Sequence, residues 1–285
     1  MRDEMNPDSG RAADDPADVR IERRPDGIAV LTLDRPRRKN ALDDRMWFGL
    51  GSAADALERE TPRVLVVHGA GGAFCAGMDV NPANPLIGRF LEALESGSVE
   101  AVREHLGLAR GIFDRLAALP CPKVAAIEGA AFGGGAELAL CCDLRVAAES
   151  ARIAFSEARL GLMADVGGSV RLTRLVGPAR AADLLLTTRV VPPPEALAMG
   201  LVNRLAAEGG ALDAALALAA EIAASGPLAV RAALRVVRAT AAGESDAVAF
   251  ERELDEASRL IVAGEVLEGV AAFMEKRKPR WSDAG

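Results

Sequence analysis

The sequence predicts an α/β core followed by a helical C-terminal part, and three observations lead there. Short continuous apolar runs, glycine turns and helix-length amphipathic stretches follow one another repeatedly through the first two thirds. From Pro194 to Lys276 the chain is nearly all helix-forming, with breaks at Gly226-Pro227 and Ala242-Gly243. The length of 285 residues, 50% hydrophobic and 26% charged, supplies a sizeable core. The expected organisation is a disordered tail over 1–19, an α/β core over 20–190 and a helical part over 191–285.

Each element has its own signal. Residues 1–19 are polar, rich in Asp and Arg, and poor in large apolar side chains, which predicts disorder. Ile28–Leu33 reads as a strand. A helix is expected from about Asp43, an acidic N-cap, to about Glu60, with Met46, Leu50 and Leu57 on one stripe. Val64–Val67 is continuous and mostly β-branched, the pattern of a strand buried on both faces, and glycine-rich 69–77 ends it. Val99–Leu119 reads as a helix stopped by Pro120 and Pro122. Lys123–Ile127 is the next strand; Gly133-Gly134-Gly135 leads into a helix through Leu140, and Leu144–Ala148 is strand again.

Composition narrows the function classes. A net charge of -7 opposes nucleic-acid binding, which rests on neutralising phosphates, and the absence of tyrosine with 4% aromatics removes stacking platforms. Cys75, Cys121, Cys141 and Cys142 lack CxxC spacing and read as reduced, mostly buried thiols. His68 and His105, the only histidines, do not make a metal site. No signal peptide or membrane-length apolar run is visible, so a cytoplasmic protein with no membrane partner is expected.

Two glycine turns carry the chemistry: Gly71-Gly72-Ala73-Phe74-Cys75-Ala76-Gly77-Met78-Asp79-Val80 after a buried strand, and Gly129-Ala130-Ala131-Phe132-Gly133-Gly134-Gly135-Ala136-Glu137-Leu138 between a strand and a helix. Glycine lets backbone approach a ligand closely, and the first N–H groups of a helix lack intrahelical partners. Such amides suit a developing oxyanion, where one donor contributes about 2.7–4 kcal/mol. Neither turn has a nucleotide-binding glycine pattern. Each alone also fits an ordinary strand-to-helix turn.

Taken together, NALDDRM (Asn40 to Met46), AFCAGMDV (Ala73 to Val80), PKVAAIEGAAFGGGAELALCCDLRVA (Pro122 to Ala147) and GGSVRLTRLVG (Gly167 to Gly177) resemble the enoyl-CoA hydratase/isomerase (crotonase) superfamily. AMGLVNRL (Ala198 to Leu205) and AFMEKRKPRW (Ala272 to Trp281) resemble its C-terminal markers, so the likeness covers roughly residues 21–281. It implies a crotonase-like spiral of repeated β-β-α units in two nearly perpendicular sheets, with a helical C-terminal part that mediates homotrimers, often paired into hexamers. It also implies an acyl-CoA thioester substrate, with coenzyme A entering as part of the substrate and no tightly bound cofactor.

By the same resemblance the oxyanion-hole donors are the N–H groups of Met78 and Gly134. Lys39, Arg37 or Arg38 is implied at the nucleotide phosphates. Asn40, Ala41 and Leu42 with Ala76, Asp79 and Val80 are implied along the coenzyme A channel, and Phe132, Gly133 and Ser156 as further substrate contacts. Phe273 and Lys276 match C-terminal positions that reach a coenzyme A, often that of a neighbouring subunit. Arg37-Arg38-Lys39 equally fits a solvated charge cluster.

Glu137 and Glu157 match the two glutamates with which family hydratases hold and activate water. One carboxylate takes a proton from water while a protonated partner delivers one to the α-carbon. Residues 162–167 depart from the hydratase pattern: Ala164-Asp165 stands where hydratases commonly have Pro-Gly, and the ADVG motif is similar to that of dienoyl-CoA isomerases. The long stretch between Asp79 and Pro120 points the same way, whereas Glu137 is hydratase-like. Asp165 is therefore a third candidate acid, or else the N-cap of a helix starting near Val166. The expected reaction is addition of water to a trans-2-enoyl-CoA. Δ3,5-Δ2,4-dienoyl-CoA isomerisation through Glu157 and Asp165 stays open as the alternative, and acyl-CoA hydrolysis on the same fold as a further one.

Overall fold

The computed structural model describes residues 18–282. The expected tail falls mostly outside that span, but its last residue, Val19, opens strand β1 (Val19–Arg23), which pairs antiparallel with β2 (Ile28–Leu33). Asp43 caps α1 (Asp44–Arg59) by accepting from the Met46 N–H at 3.0 Å, and Met46, Leu50 and Leu57 are buried. The buried strand β3 (Val64–Gly69) follows.

The interval after Asp79 holds two helices rather than one. Asn84 caps α2 (Pro85–Glu95), and Ser98 caps α3 (Val99–Ala118). Asn84-Pro85 is a readable helix start, a side-chain cap followed by a proline whose missing N–H costs nothing there. Next come β4 (Lys123–Ile127), β5 (Ala130–Phe132), α4 (Gly134–Ala139), β6 (Leu144–Ala148) and β7 (Arg152–Ala154). The chain continues through α5 (Gly168–Val176), α6 (Pro178–Thr187), α7 (Pro193–Ala198), β8 (Arg204–Ala206), α8 (Ala211–Ala223), α9 (Pro227–Ala241), α10 (Asp246–Ala263) and α11 (Glu265–Met274).

The large sheet runs β1-β2-β3-β4-β6-β8 and is parallel after the first pair. Each of β2, β3, β4 and β6 is followed by a short segment in a second layer and then by helix. The second-layer segments are Leu42, Cys75 to Met78, β5 and β7, joined by parallel bridges Leu42↔Met78 and Cys75↔Ala131, the β5–β7 pairing and an antiparallel bridge Ile153↔Val191. This is the repeated β-β-α unit expected from the sequence motifs.

Alternate residues of the large sheet feed two cores. Ala29, Leu31 and Leu33 pack into the one shared with α1, α3 and the second layer. Ile28, Val30, Val64, Val66 and Val146 pack instead under Ala211, Ala215, Leu218 and Ala219 of α8. A parallel sheet needs both faces covered, and α8 supplies the second cover. The C-terminal part is mainly helical but not wholly so: β8 pairs with β6 (Val146↔Arg204), where the sequence suggested helix alone.

Helix α9 docks through charge. Arg238 grips Asp143 with two hydrogen bonds of 2.8 Å, and Lys123, 1% exposed, lies 3.3 Å from the same carboxylate. Burial opposes ionisation of Asp143, but Arg238 and Lys123 outweigh it and hold the carboxyl below its ordinary value. That contribution is complete above the unfolded-state value and is lost as pH falls through the lower folded value. Asp143→Ala, which strands the Lys123 charge, should cost about 3–5 kcal/mol at pH 7. Urea denaturation should show this deficit shrinking as the pH is taken toward 3.

Candidate active site

The two glycine turns meet because their backbones come closer than side chains would allow. A methyl group built on Gly129 would strike the Gly72 carbonyl, and one on Gly135 the Cys75 carbonyl. Glycine alone permits these approaches. The segment Cys75 to Met78 is consequently held from both sides. Cys75 N–H donates to Ala130 O at 2.9 Å and Phe132 N–H to Cys75 O at 3.0 Å. On the other side Leu42 N–H donates to Gly77 O at 2.7 Å and Asp79 N–H to Leu42 O at 3.0 Å.

This pattern leaves the Met78 N–H pointing away from Leu42. Gly134 opens α4, so its N–H has no intrahelical acceptor. A methyl group on Gly134 would lie 3.9 Å from Met78 N, and one on Gly77 would lie 3.4 Å from Gly134 N. Neither amide meets a protein acceptor among the described residues. Two free donors side by side are what a thioester oxygen gaining charge requires.

Three acids gather beside them. Glu137, in the first turn of α4, is 1% exposed and accepts a 2.5 Å hydrogen bond from Gly168 N–H at the start of α5. Glu157 lies under Gly133, whose missing side chain makes room: a methyl group there would sit 3.3 Å from Glu157 Oε1 and 3.5 Å from Ser156 Oγ. Neither carboxyl oxygen of Glu157 meets a hydrogen-bond partner of good geometry among the described residues. Burial first, and then the charge of Glu157, push Glu137 well above the ordinary carboxylate range. Burial also raises Glu157, with the charge of Asp165 adding to it.

Asp165 is half-buried and raised by burial. It caps no helix among the described residues, since α5 begins only at Gly168 with Gly167 in the cap position and no side-chain bond. Its loop is tied down by Ser169 Oγ to Ala164 O at 2.7 Å and by Arg171 Nη1 to Val166 O at 3.0 Å. The structure thus brings together Met78, Gly134, Glu137, Glu157, Asp165, Phe132, Gly133 and Ser156.

Other predicted residues have different surroundings. Asn40 is wholly buried in the left-handed region (φ 58°), so it does not line a channel with its side chain. Its carboxamide accepts from Arg35 N–H at 2.8 Å and donates to Ala70 O and Ala73 O at 2.9 and 2.7 Å. Leu42 is wholly buried as well. Asp79 is occupied by Arg35 Nη1 at 2.6 Å, and this guanidinium holds its carboxyl below the usual range in spite of burial.

Lys39, Arg37, Arg38 and Val80 are exposed, and Ala41 and Ala76 half-buried. Phe273 is 81% exposed at the end of α11, with Lys276 just beyond it. His68 bonds Thr32 Oγ1 at 2.9 Å on the sheet face that α8 covers, away from the acids. The four cysteines are buried and free; burial pushes Cys75, Cys141 and Cys142 up to about 12. Sequence reasoning missed Arg35. Its only signal was position, on the far side of Pro36 from the charge cluster 37–39.

The Met78 amide of the second layer and the Gly134 amide at the start of α4 thus lie beside a buried carboxyl pair, an arrangement that can polarise a carbonyl oxygen and move protons next to it. The chain matches the enoyl-CoA hydratase/isomerase family over residues 23–284 and belongs to that family. It is 36% identical over 267 residues to an enoyl-CoA hydratase of Mycobacterium tuberculosis, covering 93% of this chain and 97% of the relative. It is also 36% identical over 269 residues to an enoyl-CoA isomerase/hydratase of Penicillium crustosum, where the match takes in 88% of this chain but 28% of that longer protein. A crystal structure of enoyl-CoA hydratase from Mycobacterium tuberculosis superposes with a TM-score of 0.79 at 38% identity, covering 94% of this chain and 99% of that one. The fold is therefore the crotonase-type spiral.

A buried acid with a raised folded value stabilises the protein at low pH and loses that advantage as pH rises through the raised value. Glu137→Gln removes the charge but keeps the shape. It should raise stability by about 1–3 kcal/mol at pH 8 and by little at pH 5. Thermal unfolding at the two values would show it.

Proposed function

We propose that this protein adds water to a trans-2-enoyl-CoA thioester. The observation that carries the reading is the pair of facing carboxyls, Glu137 and Glu157, beside two unoccupied amides. The thioester oxygen sits on the Met78 and Gly134 N–H groups, and the carbon–carbon double bond lies over the acids. One carboxylate takes a proton from water as the oxygen attacks C3. The double-bond electrons move onto the thioester oxygen, giving an enolate held by the two donors. The protonated partner then delivers its proton to C2 as the carbonyl re-forms, so one proton returns to the pair in each cycle. Burial and mutual repulsion, which keep one carboxyl protonated near neutrality, support this division. Coenzyme A enters as part of the substrate, with no tightly bound cofactor, and the exposed Arg37, Arg38 and Lys39 suit its phosphates.

A second reading has its own support. Asp165 caps no helix among the described residues and lies near enough to Glu157 for its charge to raise it, which suits a dienoyl-CoA isomerase exchanging protons with two separate carbons. Assembly as a homotrimer or hexamer belongs to the same proposal. Phe250, Leu254, Ile261, Val262, Leu267 and Phe273 are large apolar side chains left mostly exposed on α10 and α11, which supports assembly through these helices.

Purified protein should consume crotonyl-CoA, read as loss of enoyl-thioester ultraviolet absorbance. Glu137→Gln and Glu157→Gln should each lower kcat by about 10²–10⁴-fold. Asp165→Asn should leave hydration within about threefold, on the scale of a substitution outside the transition state. Formation of conjugated 2,4-dienoyl absorbance from a 3,5-dienoyl-CoA, abolished by Asp165→Asn and accompanied by little hydration, would instead establish the isomerase.

A further inference from the structure

Arg35 belongs to neither glycine turn and lies outside the acid cluster, yet its side chain reaches the strand that carries one oxyanion donor. Its Nη1 donates to Ala41 O at 3.0 Å and to Asp79 Oδ2 at 2.6 Å, and Nη2 pairs with Asp43 Oδ2 at 3.1 Å. Asp43 in turn caps α1, and Asp79 directly follows Met78.

The bond to Ala41 O matters because a trans peptide unit points its C=O and its N–H in opposite directions. Ala41 O and Leu42 N belong to one unit. With its carbonyl held by Arg35, that unit aims the Leu42 N–H at Gly77 O, 2.7 Å away. Gly77 O and Met78 N belong to the next unit. With its carbonyl held by Leu42, that unit aims the Met78 N–H out of the pairing, toward the space beside Gly134. A charged donor therefore stands at the head of two aligned peptides, and the free amide stands at the tail.

We propose that Arg35 is a positioning residue for catalysis, which aligns and polarises the Met78 N–H through the Ala41–Leu42 and Gly77–Met78 peptides. Hydrogen bonds in such a chain strengthen one another. The effect runs through the peptides rather than through the bare charge of the guanidinium, because Asp43 and Asp79 offset that charge nearby. Asp79 acts as the counter-anchor, fixing the guanidinium against the residue next to the donor. The peptide of the Gly134 donor is held by its own helix instead, Glu137 N–H donating to Gly133 O at 3.0 Å, so Arg35 acts on one of the two donors.

The inference rests on the reading of Met78 and Gly134 as oxyanion donors, and its test separates the two. Arg35→Met and the gentler Asp79→Asn are compared with wild type in three measurements: kcat and KM for crotonyl-CoA, binding of a saturated acyl-CoA, and the ultraviolet absorbance of the enolate formed from a bound 3-ketoacyl-CoA. A misaimed donor differs from a deleted one, so kcat should fall about 10–100-fold in Arg35→Met, with KM and saturated-acyl affinity within about threefold. Enolate formation should weaken in the same proportion as kcat, and Asp79→Asn should show a smaller loss of the same kind. A general packing role would instead lower the fraction of folded protein, or weaken both acyl-CoA ligands alike, and either result overturns the proposal. So does a folded Asp79→Asn or Arg35→Met enzyme with kcat within twofold of wild type. Failure of wild type itself to stabilise the enolate would overturn the oxyanion reading, and this role for Arg35 with it.

Discussion

The structure depends on the close passage of three backbone segments: Asn40 to Leu42, Cys75 to Met78 and Ala130 to Gly135. Parallel bridges join them, and methyl groups at Gly129 or Gly135 would hold them apart. Everything the site needs follows from that contact. The pairing uses the Leu42, Cys75, Asp79 and Phe132 amides and leaves the Met78 amide over. The start of α4 leaves the Gly134 amide over at the same place. Two donors without acceptors are a cost to the free protein. On the proposed reading, that cost sits where a substrate oxygen would remove it.

The acids show the same tension between stability and use. Glu137 and Glu157 are set into an apolar layer, close enough that the charge on Glu157 raises Glu137. A carboxyl pair so placed opposes its own ionisation, which weakens the fold as pH rises and makes one proton available near neutrality. Small residues make the placement possible: Gly133 opens space for Glu157, and Gly168 brings its amide to Glu137, where a methyl group would lie 2.5 Å from the carboxylate. The C-terminal part contributes at a distance. Helix α8 seals the second face of the large sheet, and Arg238 fastens α9 to Asp143, so the strands that present the turns are braced from behind.

Much of this was legible in the sequence. Short apolar runs mark strands buried on both faces, most plainly the β-branched run of β3, so β2, β3, β4 and β6 appear where hydrophobic continuity predicts them, and the Asp43 cap and the Met46-Leu50-Leu57 stripe mark α1. The paired glycine motifs announced the two turns and the acids near them. Short elements were not legible. β8 is three residues long and takes its strand character from pairing with β6, a partner distant in sequence. α2 carries a readable start at Asn84-Pro85 and a mixed apolar face in which Leu86 is buried while Leu91 and Leu94 are exposed, so its periodicity marks the core less sharply than that of α1.

Local chemistry along the chain thus determined which segments are strands, helices and turns, and that the turns carry glycines and acids suited to a thioester. Only the tertiary structure decided which polar groups are already spent. Asn40 and Asp79 look like ligand contacts in sequence, but folding commits Asn40 to carbonyls and Asp79 to Arg35, while Asp165, readable as a helix cap, caps no helix among the described residues and raises Glu157 by its charge. The reason is physical: hydrogen-bond partners more than a few residues apart are assigned by the close packing of the backbone, and no local pattern encodes them.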